Sequence, residues 1–182
     1  KTIKYKFNDL EFQFDVAETL FSTFDIDHGT DILIRSITSN NPKSILDLGC
    51  GYGPLGIIQA KVNPQAKVTL VDSNLLAVRY ANYNIEKNNL TNAQSLGGVG
   101  IEEIKDQKFD LIVSNIPAKI GDKAIEEEFI LNPYGLLNDG GQYWIVVVNA
   151  LNRLIPKVCG LSNIKVTKIR KRKGHTVYKI AK

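Results

Sequence analysis

The sequence predicts a doubly wound α/β fold, a mostly parallel sheet covered on both faces by helices and finished by an antiparallel C-terminal hairpin strand. Three observations predict it. Short β-branched runs alternate with helix-length segments, the first strong run ends in a glycine-rich turn, and the C-terminus carries two strand-like runs joined by a basic tip. In folds of this class ligands sit beyond the carboxyl ends of the strands, so the residues just after each run are the candidates for function.

Residues 1–20 read as an N-terminal extension of strands packed on the core. Ile45-Leu46-Asp47-Leu48 is the first strong strand, followed by a helical segment over 54–62. Val68-Thr69-Leu70-Val71 is the second and ends at Asp72. Leu76, Tyr80, Tyr83 and Leu90 then recur at helical spacing and give residues 74–89 one apolar face. Phe109-Asp110-Leu111-Ile112-Val113 is a further strand, with a polar helical stretch around 122–131 after it. The apolar continuity of 143–148 predicts a strand buried on both faces. Finally, 164–170 and 175–181 form a hairpin turning through Arg170-Lys171-Arg172-Lys173-Gly174. No repeat or linker interrupts the series, so residues 1–182 read as one domain.

Composition bounds the function. With 43% apolar and 23% charged residues among 182, a full core is expected and wholesale disorder is not. The longest apolar run, Trp144 to Val148, is too short to cross a bilayer, and the N-terminus has cations without the apolar region of a signal peptide. Cys50 and Cys159 stand far apart and do not cluster with either histidine, which excludes a disulfide scaffold and a structural zinc site, so no metal is expected. These features predict a cytoplasmic protein. Charge is distributed unevenly: Asp139 is the last acid, and residues 140–182 hold 10 of the 23 Lys and Arg. Such asymmetry points to an anionic partner near the C-terminal segment or to a solvated basic surface.

The glycine turn carries the first chemistry. Gly51-x-Gly53-x-x-Gly56 satisfies the dinucleotide fingerprint, and Asp72 stands at the next strand end where a ribose-binding acid belongs. Asp47, two residues before Gly49, decides between adenosine ligands. A carboxylate there repels a pyrophosphate, whereas the amino-acid part of S-adenosylmethionine brings an ammonium that it attracts, directly or through water.

Asp47-Leu48-Gly49-Cys50-Gly51-Tyr52-Gly53 resembles motif I of class I S-adenosylmethionine-dependent methyltransferases, with Val71-Asp72 as their second acidic motif. Phe21-Ser22 and Asp27-His28-Gly29-Thr30-Asp31-Ile32-Leu33 are similar to the opening segment of the methyltransferase small-domain family, which includes ribosomal RNA guanine-N2 methyltransferases and small archaeal relatives. The resemblance runs from about Phe21 to the C-terminus and implies a seven-stranded Rossmann-like sheet. It implies cofactor contacts at Asp47, Gly49, Cys50, Gly51, Gly53, Asp72, Ser73, Asn74 and Asn115. Gly29 and Thr30 are either further contacts or the start of a helix capped by Thr30. The acid that commonly meets the adenine amine is missing from Ser95-Leu96-Gly97-Gly98-Val99, so Gly98 and Val99 are assigned to the adenine through their backbone.

Val113-Ser114-Asn115-Ile116-Pro117-Ala118 resembles the family's Asn-Pro-Pro-aromatic loop, which makes Asn115 and Pro117 the catalytic candidates. Amino nitrogens conjugated to a base or amide are poor nucleophiles. An Asn side-chain oxygen and a neighbouring carbonyl that accept both N–H bonds orient such a nitrogen and favour its developing charge. Pro117 stiffens the loop. Two positions depart from the pattern: Ile116 replaces the first proline, and Ala118 the aromatic that stacks on the target base, leaving Phe21 or Phe24 as substitutes.

Arg170, Lys171, Arg172 and Lys173 are expected on the cofactor rim as phosphate contacts, the alternative being a solubilising hairpin tip; His175 and Tyr178 stand where they could meet unpaired bases, although a tyrosine on a strand more often packs. The reading is an S-adenosylmethionine-dependent N-methyltransferase acting on an exocyclic amine of RNA, guanine N2 of ribosomal RNA foremost. Its rivals are a protein glutamine-amide methyltransferase, an NAD(P)-dependent oxidoreductase and a non-catalytic RNA-binding relative.

Overall fold

The computed structural model describes residues 1–19 and 25–182. Strands β3 (Ser44–Leu48), β4 (Lys67–Asp72), β5 (Ala93–Gly97), β6 (Phe109–Asn115), β7 (Leu137–Val148), β8 (Lys165–Arg172) and β9 (His175–Ala181) form one seven-stranded sheet in the order β5-β4-β3-β6-β7-β9-β8. The pairs from β5 to β7 are parallel, and β9 runs antiparallel to both β7 and β8. The chain fills one half of the sheet from β3 to β5 and then crosses to β6, so the strand order reverses between β3 and β6. A crevice opens at the carboxyl ends of such a strand pair.

Alternating side chains sort onto two cores. Ile45, Leu111, Val113, Trp144 and Val146 face helices α1 (His28–Ser36), α2 (Pro54–Val62) and α3 (Leu75–Lys87). Leu46, Leu48, Ile112, Tyr143, Ile145 and Val147 face the segment Ile125–Leu131 and helix α6 (Leu154–Leu161). Strand β7 is buried on both faces over 143–147, as its apolar continuity predicts.

Strands β1 (Thr2–Phe7) and β2 (Leu10–Asp15) make a separate hairpin whose Ile3, Phe12 and Phe14 enter the first core. Two asparagines one helical turn apart, Asn84 on α3 and Asn88 at its C-cap, hold its edge. Asn84 exchanges hydrogen bonds with the Asp15 backbone at 2.7 and 3.0 Å, and Asn88 with that of Gln13 at 3.1 and 2.8 Å. These carboxamides satisfy backbone groups that an unpaired strand edge would leave open. Asn84 Nδ2 also donates to the Tyr52 carbonyl at 2.9 Å, tying the hairpin to the glycine turn.

Three elements differ from the sequence expectation. Strand β5 has the sequence Ala-Gln-Ser-Leu-Gly, too polar to stand out from its neighbours. The predicted helix at 122–131 is π-helical over Ile125–Leu131, between the short turns α4 (Asp122–Ala124) and α5 (Asn132–Gly135). The C-terminal hairpin is tighter than predicted. Strand β8 continues to Arg172, and only Lys173 and Gly174, with φ of 47° and 77°, make the turn. Two consecutive left-handed residues match the twist of a two-residue hairpin loop.

Candidate active site

The glycine turn between β3 and α2 holds its shape through its own backbone. Gly49, Gly51 and Gly53 have φ of 70°, 57° and 99°, a region that side-chain-bearing residues avoid. The N–H groups of Gly49 and Cys50 both donate to the Val71 carbonyl, at 2.8 and 3.0 Å. Asp72 then joins the two strand ends: one carboxylate oxygen accepts from Gly51 N–H and the other from Asn74 N–H, each at 2.8 Å. Asn74 caps α3 by accepting from Leu76 and Ala77 N–H. Ser73, beside it, is exposed.

Asp47 lies beneath the turn and is fully buried. Its Oδ2 accepts the Gly56 N–H at 2.8 Å, while Oδ1 has no hydrogen-bond partner. Burial pushes its pKa up to about 7, the Gly56 N–H opposes that rise, and the nearby Asp72 charge adds to it. An orphaned carboxylate oxygen under a glycine turn is suited to a cationic ligand group. A pyrophosphate is poorly suited, because Pro54 has no N–H and Asp47 already occupies that of Gly56. The residues present thus fit S-adenosylmethionine. Cys50 supports the turn and not a reaction: its N–H is engaged, and burial raises its thiol pKa well above the usual value.

On the β5 side of the crevice, Gly98 N–H donates to the Asp72 carbonyl at 3.1 Å. Val99 is 60% exposed, and Leu75 at the start of α3 is 73% exposed. Leu75 covers Gly97 so closely that a Cβ there would lie 2.7 Å from its Cδ2. Two exposed apolar side chains beside a glycine pair make a wall for a flat ring. The sequence reading missed Leu75, because an apolar residue opening an amphipathic helix looks like core.

On the other side stands Asn115, the last residue of β6 and two beyond Val113, the register partner of Asp47. Its Nδ2 donates to Asp27 Oδ2 at 2.8 Å and to Thr30 Oγ1 at 3.0 Å. Helix α1 therefore begins at the site, but its cap is Asp27 and not Thr30: Asp27 Oδ2 accepts the Thr30 N–H at 3.1 Å. The Thr30 hydroxyl, against expectation, is turned to Asn115. A Cβ on Gly29 would fall 2.8 Å from His175 Cδ2 and 3.1 Å from Asp27 Oδ2, so close packing is what requires glycine there.

The loop's departures from the family pattern acquire a reason at Ile116. Its N–H, which a proline lacks, donates to the Val146 carbonyl at 3.1 Å, and its side chain is buried. Pro117 is partly buried and Ala118 exposed. Phe21 and Phe24 lie outside the described residues.

Strand β8 runs in the direction of β7, which brings the hairpin tip to the crevice end of the sheet, three strands or roughly 14 Å from β6. Arg170, Lys171 and Arg172 are exposed on the strand and Lys173 on the turn. Of the two readings of Tyr178 the structure favours packing: it is 2% exposed, with its hydroxyl directed to Asn152, and does not meet a base. His175 packs on Gly29, and its Nδ1 lies 3.0 Å from the Lys173 carbonyl. Among the described residues no three acids, histidines or cysteines gather as a metal site, and no helix is long and apolar enough to span a membrane.

The profile of the Methyltransferase small domain family matches residues 11–179. The chain belongs to that family. It is accordingly an S-adenosylmethionine-dependent methyltransferase domain. The ribosomal RNA small subunit methyltransferase C of Buchnera aphidicola is 34% identical over 133 residues, 71% of this chain and 40% of that protein. The Bacillus subtilis protein YbxB is 28% identical over all of this chain and 92% of its own length. Among solved structures, the T. thermophilus 16S rRNA guanine-N2 methyltransferase RsmC, with AdoMet and guanosine bound, superposes over the whole chain with a TM-score of 0.85 at 22% identity. This chain covers 50% of that one. A ribosomal protein L11 methylase from Lactobacillus delbrueckii shares the fold over 84% of this chain and 75% of its own, at 21% identity and a TM-score of 0.71.

Proposed function

We propose that this methyltransferase domain acts on an exocyclic amine of RNA, guanine N2 of ribosomal RNA. The observation that carries the reading is that Asn115, the Asp47–Asp72 turn and the cationic hairpin tip share the carboxyl end of one sheet. The relatives named as ribosomal RNA methyltransferases support the substrate class.

S-adenosylmethionine supplies an electrophilic methyl group on a sulfonium. Asp47 would attract the ammonium of its amino-acid part, directly or through water, while Asp72 would hold the ribose hydroxyls, and Leu75 with Gly98 and Val99 the adenine. Gly49, Gly51, Gly53, Ser73 and Asn74 shape the backbone around it. Asn115 Oδ1 and the Ile116 carbonyl accept the two N–H bonds of the target amine, directing its lone pair to the methyl and offsetting the positive charge that grows on nitrogen. No strong base is needed beforehand, since the proton leaves after transfer. Arg170 to Lys173 neutralise RNA phosphates beside the reacting nucleotide.

The test is incubation with radiolabelled S-adenosylmethionine and either total RNA or total protein. Label in RNA, recovered as N2-methylguanosine after nuclease digestion, is expected. Label in protein alone overturns the reading in favour of an amide or amine of a polypeptide.

A further inference from the structure

We propose that Asp27 is a positioning residue for catalysis, fixing the carboxamide of Asn115 with Thr30 as the second contact. The inference rests on Asn115 being the acceptor of the target amine. A primary amide has two N–H bonds, and here both are committed, to Asp27 Oδ2 at 2.8 Å and Thr30 Oγ1 at 3.0 Å. The chemistry of the partner sets the orientation. Rotating the amide by half a turn would place Oδ1 against a carboxylate with no hydrogen between them, so the oxygen is held on the side away from α1.

Asp27 is itself held. The oxygen that receives Asn115 also receives the Thr30 N–H, in the positive field of a helix N-terminus. Gly29 allows this closure, because Asp27 Oδ2 and His175 Nε2 approach to 3.1 and 3.2 Å of the point its Cβ would occupy. An anion on the N–H side also polarises the amide, placing more electron density on Oδ1 and strengthening it as an acceptor for an amine gaining positive charge. The device joins the opening helix to the β6 loop across 88 residues of sequence.

The alternative is that Asp27 only caps α1, and two substitutions separate the roles. Asp27→Ser keeps a good cap, but its side chain is too short to reach Asn115. Asp27→Asn keeps an oxygen for both contacts. At saturating RNA and cofactor, Asp27→Ser is expected to lower single-turnover methyl transfer by about tenfold or more, with cofactor affinity and RNA KM within about twofold, while Asp27→Asn stays within about threefold of wild type. A second readout needs no activity. In the 1H–15N spectrum of the labelled protein, the side-chain amide pair missing in Asn115→Ala should shift and exchange faster in Asp27→Ser but not in Asp27→Asn. Equal rates and unchanged amide signals in the two variants overturn the inference. Should Asp27→Ser fail to fold, Thr30→Val removes the second contact together with the approach of the Thr30 hydroxyl to Asp27 Oδ2 at 3.5 Å, and unmoved Asn115 amide signals there refute the two-point anchoring. A wild-type rate in Asn115→Ala sinks the proposed role of Asn115 instead, and leaves the amide spectrum to judge the contact.

Discussion

Asp47 and Gly56 are joined by a 2.8 Å hydrogen bond that places a buried carboxylate under the first turn of α2. In a dinucleotide site that helix start receives a pyrophosphate; here it is occupied from within. The match of Gly51-x-Gly53-x-x-Gly56 to the dinucleotide fingerprint thus has a different ligand. S-adenosylmethionine and its demethylated product should bind in calorimetry, and NAD should not. Asp72→Ala should weaken cofactor binding by about 1.5–3 kcal/mol, since charge-assisted hydrogen bonds to ribose and the tie to Gly51 go together. Tight NAD binding would overturn the assignment.

The unpaired Asp47 Oδ1 makes binding pH-dependent. Its pKa is raised to about 7 in the free protein, above the ordinary carboxylate value of 3.8. Between these values the folded state holds a proton that the unfolded state has released. The Asp47 contribution to stability therefore falls as pH rises from about 4 to about 7, and the cost is fully present above that. A cationic ligand group favours the ionised form, so cofactor affinity should rise with pH towards 7 and then level off. Asp47→Asn should lower affinity and remove that rise, as titration calorimetry across pH 5.5–8 would reveal.

Asn115→Ala should leave the fold and most of the cofactor affinity intact. Methyl transfer in a single turnover should fall by roughly a hundredfold, about 2.7 kcal/mol of lost positioning and charge stabilisation. A wild-type rate would reduce the β6 loop to a turn.

Neutralising Arg170, Lys171, Arg172 and Lys173 together should weaken RNA binding across sequences and flatten its salt dependence, while cofactor affinity stays the same. Binding isotherms at several salt concentrations check this. An RNA affinity indifferent to the change would make the tip a solvated surface.

Gly56 is glycine because of Leu70: a Cβ there would fall 2.6 Å from the Leu70 Cγ. Gly56→Ala should cost about 1–3 kcal/mol in denaturant unfolding. Adding Leu70→Ala should change stability by less than the two separate losses combined, because the pair shares one space. Strict additivity would show that the helix and strand do not meet there.

By itself the sequence determined the parallel strands at 45–48, 68–71, 109–113 and 143–148, the glycine turn and the acid at 72. Each is written in neighbouring residues, as a β-branched run buried on both faces or as glycines where the backbone turns left-handed. Only the tertiary structure decided the rest. Strand β5 is polar enough to pass for loop and becomes a strand because the edge of β4 pairs with it. Tyr178 read either as a base contact or as packing until its strand was placed between β7 and β8, where it is buried. Gly29 and Thr30 read as cofactor contacts or as a helix start, but the sheet order brings Thr30, with Asp27, to Asn115. Local patterns record which way a residue faces along its own element. Which distant residue it then meets depends on strand order and register, and those follow from packing the whole core.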